Sequence, residues 1–218
     1  MDVKGCCSMK NIFKKYMNNK LKLQKWQIIC IICLIISISG CLGWFYEFVF
    51  YFFNGGMKEF YWQGGNFLPW INIYAIGGIL IVLSTYRIKD KPILVFIVSS
   101  IVTGMLEYFS GYMIYKLGNG LRYWDYNTEI LNFGNINGFI CFRSILCFGL
   151  SALLLMYVIL PYCIYLCKKM NKKTILILSI SMCSIFLVDE FYNLIFTKIF
   201  NLPSALEIYR NIGFNFMD

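Results

Sequence analysis

The chain has 218 residues, 59% hydrophobic, 19% aromatic and only 14% charged, with a formal net charge of +9 and no histidine. A soluble domain is about 45–50% apolar and about 25% charged, so this composition excludes one and describes a single all-α, polytopic transmembrane helix bundle. The basic residues lie between apolar runs and not along one polar face, which excludes nucleic acid as a partner. The missing histidine excludes Ser-His-Asp and Cys-His catalysis and histidine metal sites; neither a metal nor a cofactor is expected.

Residues 1–25 form a basic tail. Met9, Ile12, Phe13, Tyr16 and Met17 recur at helical spacing opposite Lys10, Lys14 and Lys15. That pattern suits a short helix on the inner leaflet, and an unstructured positive tail is the alternative. Five segments then approach the ~20 apolar residues that a bilayer crossing needs: about 26–53, 69–86, 92–117, 138–166 and 174–200. The second is short and is expected to open at Pro69, a good first-turn residue. Residues 201–218 form an extracytoplasmic tail.

Ile38-Ser39-Gly40-Cys41 imitates a lipoprotein cleavage box, but the long tail before it and the apolar run after it favour a retained anchor helix. Cys30-Ile-Ile-Cys33 has redox spacing inside a lipid-spanning run, where cysteine acts as a small hydrophobe. The tail, the 87–91 turn and the 168–173 turn hold 14 of the 20 basic residues. The positive-inside rule puts those segments in the cytoplasm and the C-terminus outside, as an odd number of spans requires.

Within the spans lie Glu47, Glu107, Asp189 and Glu190, with the single arginine Arg143. An ionisable group at mid-membrane costs at least ~2.5–3.5 kcal/mol on insertion scales, so five of them have a use. Each acidic span carries its charge beside small or polar residues: Gly40, Gly43 and Glu47; Ser100, Thr103, Gly104, Glu107 and Gly111; Ser179, Cys183, Glu190, Asn193 and Thr197. Such stripes face other helices. At ~1.5 Å per residue every charge falls between the midplane and the outer surface. One outer-facing acidic pocket is therefore expected, where Glu47, Glu107, Arg143 and Glu190 converge beneath the 118–137 loop. That loop carries Tyr123-Trp124-Asp125-Tyr126 and several asparagines and glycines. It reads either as an aromatic belt with turns or as an ordered lid with Asp125 turned into the pocket.

Gly43-Trp44-Phe45-Tyr46-Glu47, Leu106-Glu107-Tyr108, Tyr123-Trp124-Asp125-Tyr126 and Asn137-Gly138-Phe139-Ile140-Cys141 together resemble the motifs of the type IV putative ABC-transporter permease family, in order and at similar spacing over roughly residues 40–165. The run Gln63-Gly64-Gly65-Asn66-Phe67-Leu68-Pro69 lacks an arginine that the family tends to carry there. The resemblance implies a transporter subunit; the charges within the spans and the loop beside them make Glu47, Glu107, Asp125, Arg143, Asp189 and Glu190 ligand or proton-relay candidates. Trp44, Tyr46, Tyr108, Trp124, Tyr126 and Asn137 would support them. The chain has no Gly-x4-Gly-Lys-Ser/Thr loop, so ATP would be handled by a separate ATPase subunit; a second copy of the chain is another candidate partner besides the lipid bilayer. An integral membrane enzyme or sensor using the same carboxylates, or a structural partner without a ligand, are the other readings.

Overall fold

The computed structural model describes residues 8–54 and 62–214. Among these the protein is helical, with one isolated β-bridge between Ile136 and Ile140. The helices are α1 (Met9–Met17), α2 (Lys25–Asn54), α3 (Asn72–Thr85, extended by a 3-10 turn Tyr86–Ile88), α4 (Pro92–Leu117), α5 (Phe142–Lys169), α6 (Lys172–Phe200) and α7 (Ala205–Asn211). Four of them, α2, α4, α5 and α6, are long and apolar enough to cross a membrane, and Asn72–Ile88 is a shorter apolar helix. The protein is a multi-pass membrane protein with about five spans. Two long helices contain a π-helical segment, Leu155–Ile159 in α5 and Tyr192–Phe196 in α6.

The local sequence explains where the helices begin. Pro92 starts α4, where its missing N–H costs nothing. Cys141 and Ser144 form a capping box at the start of α5. The Asn171 side chain accepts from the Lys173 N–H at the start of α6. Two starts differ from the sequence expectation. The helix expected from Pro69 begins at Asn72; just before it the Trp70 carbonyl receives the Asn66 amide and the Ile71 N–H donates to the Gly40 carbonyl. The helix expected from 138 begins at Phe142, because residues 138–141 belong to the preceding loop. There Gly138 has φ +77°, and a Cβ would lie within 2.4 Å of side-chain atoms of Asn127, Arg122 and Asp125.

The chain divides into two compact units, residues 1–22 with 77–165 and residues 23–76 with 166–218. In the first, α4 packs on α5 through its small residues. Gly104 faces Ile140 and Ile145, Gly149 faces Ser100 and Phe96, and Gly111 faces Phe139 and Trp124. Ser100, Thr103, Gly104, Glu107 and Gly111 are all buried, so this stripe is the packed face.

The tail helix α1 also belongs to the first unit. Ile12 and Tyr16 are buried; the Tyr16 hydroxyl donates to the Met156 carbonyl at 3.1 Å, and its ring meets Tyr86 edge-on. Lys89, only 1% exposed, donates to Asn19 and to the Tyr86 carbonyl, with its ammonium over both tyrosine rings. The apolar stripe of the tail is thus covered by protein, while Lys10, Lys14 and Lys15 are exposed.

In the second unit, α2 packs on α6 and on the start of α3, with no room for a side chain at one glycine on each side. A Cβ on Gly40 would reach Phe186 at 3.0 Å and Trp70 at 3.2 Å, and one on Gly43 would strike the Tyr74 ring. Trp70, Ala75 and Phe186 form a buried cluster joined by Ile36 and Cys41.

Candidate functional site

Each unit encloses its own carboxylates. In the first, Glu107 is 5% exposed on α4. Its Oε1 accepts the Tyr126 hydroxyl at 2.5 Å, and its Oε2 lies 2.8 Å from the Ser144 hydroxyl. Tyr126 is held by its own N–H on the Gly138 carbonyl and by Asn132, whose amide donates to the Tyr126 carbonyl. Burial and then the Glu107 charge push the Tyr126 hydroxyl far above the usual tyrosine range, so it is a permanent donor.

Arg143 reaches into the loop. Its guanidinium donates to Glu129 of the loop at 2.5 Å, with both side chains largely buried, and lies 5.4 Å from the Tyr126 ring centre. Glu129 carries no signal in the sequence, because an acidic residue in a polar loop is ordinarily solvated. Tyr126 and Ser144 were equally hard to assign, since a tyrosine in an aromatic loop and a serine near a helix start each have common structural uses.

The 118–141 loop is tied together by its own hydrogen bonds, and Asp125 faces its own loop. Asp125 Oδ1 accepts from the Asn127 N–H at 3.0 Å and the Asn127 amide at 2.6 Å, with Arg122 at 3.4 Å. Arg122 also donates to the Asn137 carbonyl and lies over the Tyr115 and Phe139 rings. Trp124 donates to the Phe139 carbonyl at 3.1 Å, and the Asn137 amide donates to the Tyr108 hydroxyl at 3.3 Å. The loop residue that bonds the Glu107 carboxylate is Tyr126.

In the second unit, Asp189 and Glu190 on α6 close the loop that follows α2. Asp189 Oδ1 accepts from the Phe67 N–H at 2.9 Å and the Asn193 amide at 2.8 Å; Oδ2 accepts from the Leu68 N–H and the Trp70 indole, both at 2.9 Å. Four donors complete this carboxylate. Glu190, 6% exposed, accepts at Oε1 from the Asn66 amide at 2.8 Å. Its Oε2 is buried and has no hydrogen-bond partner among the described residues, although Asn72 at the start of α3 is a second amide acting on the group.

Aromatic residues surround this loop. Trp44 stacks on Phe48 and meets Trp62 at 5.3 Å. Trp62 donates to the Asn66 carbonyl at 2.7 Å, and the Tyr209 hydroxyl of α7 donates to the Phe67 carbonyl at 2.6 Å. The segment read as a tail therefore supports the loop. Tyr46 packs near Tyr74, and Glu47 is partly exposed on α2. Glu107, Asp125 and Arg143 are thus residues of the first unit, and Glu47, Asp189 and Glu190 of the second. Among the described residues no three Cys, Asp or Glu side chains are grouped to hold a metal ion.

A family model described as "Putative ABC-transporter type IV" matches residues 34–194. No curated protein and no solved structure matches the chain.

Proposed function

The chain belongs to the type IV putative ABC-transporter family, and from that premise we propose that it is the membrane subunit of a transport system, binding a small cation or cationic solute from the outer side at Glu190. The observation that carries this reading is the buried, unpartnered Oε2 of Glu190. A buried acceptor left unmet costs ~1–3 kcal/mol, and more when it is charged. Asp189 beside it already has four donors, and neither acid has an ion pair among the described residues. A ligand cation or a ligand N–H supplies what the protein does not. Asn66 fixes the carboxylate at Oε1, and Asp189 holds the loop that carries Asn66.

ATP hydrolysis belongs to a separate subunit in this reading, because the chain lacks a phosphate-binding loop. The turns at 89–91 and 170–171 are short, so the exposed lysines of α1 are the surface on which such a subunit docks.

The test is thermal unfolding of the purified protein in sodium, potassium, methylammonium and tetramethylammonium chlorides at constant ionic strength. An ion that binds the native state raises stability by ~2.7 kcal/mol at a hundredfold excess over its dissociation constant. One of these ions is expected to raise the melting temperature of the wild type and not of Glu190→Gln. Equal responses of the two proteins to every ion would reject the site.

A further inference from the structure

The chain has five tryptophans, and four of them place their indole N–H on oxygen. Trp26 donates to Gln24, Trp62 to the Asn66 carbonyl, Trp70 to Asp189 and Trp124 to the Phe139 carbonyl. Trp44 is the exception: its Nε1 is buried and has no hydrogen-bond partner among the described residues. An indole nitrogen donates and never accepts, so what Trp44 lacks is an acceptor. Inside a bilayer-spanning helix no bulk water is at hand to supply one.

The packing of α2 on α6 brings Trp44 to the level of Glu190. The Cys33 thiol lies within hydrogen-bonding reach of the Cys183 thiol, and Gly40 faces the Phe186 ring. The two sets of numbers rise together, so the helices run parallel. One further turn, about 6 Å along each axis, leads from Gly40 to Trp44 and from Phe186 to Glu190. A second route agrees. The Trp44 ring centre lies 5.3 Å from that of Trp62, the Trp62 indole donates to the Asn66 carbonyl at 2.7 Å, and the Asn66 amide donates to Glu190 Oε1 at 2.8 Å. One level of one helix pair therefore holds a buried donor without an acceptor and, at Glu190 Oε2, a buried acceptor without a donor.

On the premise that Glu190 is the cation-binding group, we propose that the ligand is a small organic ammonium ion that also carries a neutral hydrogen-bond acceptor, and that Trp44 selects it. The ammonium group meets Glu190 Oε2, and the acceptor meets the Trp44 N–H. A bare metal ion or a plain alkylammonium leaves the indole unmet, because neither offers a lone pair. The indole is one neutral donor, which suits a hydroxyl or ether oxygen. A carboxylate there would bring a further negative charge beside Asp189 and Glu190, so the class is amino alcohols and not amino acids. The rings of Trp44 and Trp62 favour an organic cation over a hydrated one. Solvent reaches neither atom, so the ligand enters as the 62–71 loop moves aside.

The test compares ethanolammonium with propylammonium, which are equal in size and differ by a hydroxyl in place of a methyl group. Isothermal titration calorimetry on the purified full chain is expected to show about tenfold tighter binding of ethanolammonium, the effect of one hydrogen bond to an otherwise unmet donor. Glycine is expected to bind more weakly than ethanolammonium, and the reverse order overturns the proposal. Trp44→Phe keeps the ring and loses the N–H; in it the two ammonium ions are expected to bind alike. Glu190→Gln is expected to lose both. Ultraviolet resonance Raman of the wild type reads the indole without any variant. The contribution of a non-bonded indole N–H is expected to move to the bonded position with ethanolammonium and to stay with propylammonium. Equal affinities in the wild type, or a preference that survives Trp44→Phe, overturn the proposal, while propylammonium binding that depends on Glu190 leaves the cation site standing. Five bonded indoles before any ligand is added overturn it too, since a water or protein oxygen then meets Trp44. Binding of sodium or potassium alone has the same effect with the cation site intact, and binding of no ion at all removes both.

Discussion

Asp189 and Glu190 are neighbours in sequence with different tasks, and the difference follows from their donors. Asp189 receives two backbone N–H groups, an indole and an amide. Asn in its place turns an NH2 towards one pair of these donors and leaves them unmet, at a cost on the order of 3 kcal/mol. Asp189→Asn is therefore expected to melt well below the wild type in detergent, whereas Glu190→Gln keeps the Asn66 bond and stays within about 1 kcal/mol. Equal melting of the two variants would remove the distinction between clamp and binding group. The carboxylates themselves were legible in the sequence, because an acid in an apolar run is conspicuous. Their partners were not. Backbone N–H groups at Phe67 and Leu68 have no residue signature, and Glu129 in a polar loop looks solvated until Arg143 is seen against it.

Helix α1 shows how an amphipathic pattern fixes a face without fixing what covers it. The spacing of Ile12 and Tyr16 identified the buried side. Whether lipid or protein lies against it depends on Tyr86, Lys89 and Met156, far away in the chain. The same limit applies to α3: proline suits a first helical turn, but the chain does not turn helical until Asn72, and the Trp70 carbonyl and Ile71 N–H before it are bonded to Asn66 and Gly40. At α1 the docking has a measurable consequence. Tyr16→Ala removes a fully buried ring and its bond to the Met156 carbonyl, which costs on the order of 3 kcal/mol and raises the undocked fraction about 100-fold. Trypsin cleavage after Lys14 or Lys15 in inside-out vesicles is expected to accelerate accordingly, while the transmembrane helices stay intact. An unchanged cleavage rate would mean that this contact does not hold the helix.

Over the whole molecule, α3 decides the topology, because it is the element whose length is in question. Asn72–Ile88 spans ~25 Å at ~1.5 Å per residue, a little short of a ~30 Å hydrocarbon core. A shortfall of that size is met by local thinning of the bilayer and by flanking residues that reach the interface, for fractions of a kcal/mol per Å. The alternative is costlier in charge. If α3 turned back without crossing, the turn with Arg87, Lys89 and Lys91 would lie outside, and so would the turn with Lys168, Lys169, Lys172 and Lys173, leaving those clusters opposite the basic tail and against the positive-inside bias. Five crossings keep all three on the cytoplasmic side. Alkaline-phosphatase fusions truncated after Asp90 and after Met170 are expected to be inactive, and fusions after Asp125 and after Asp218 active. Fluorescent-protein fusions at the same points should give the reverse pattern. Phosphatase activity after Asp90 would mean that α3 does not cross.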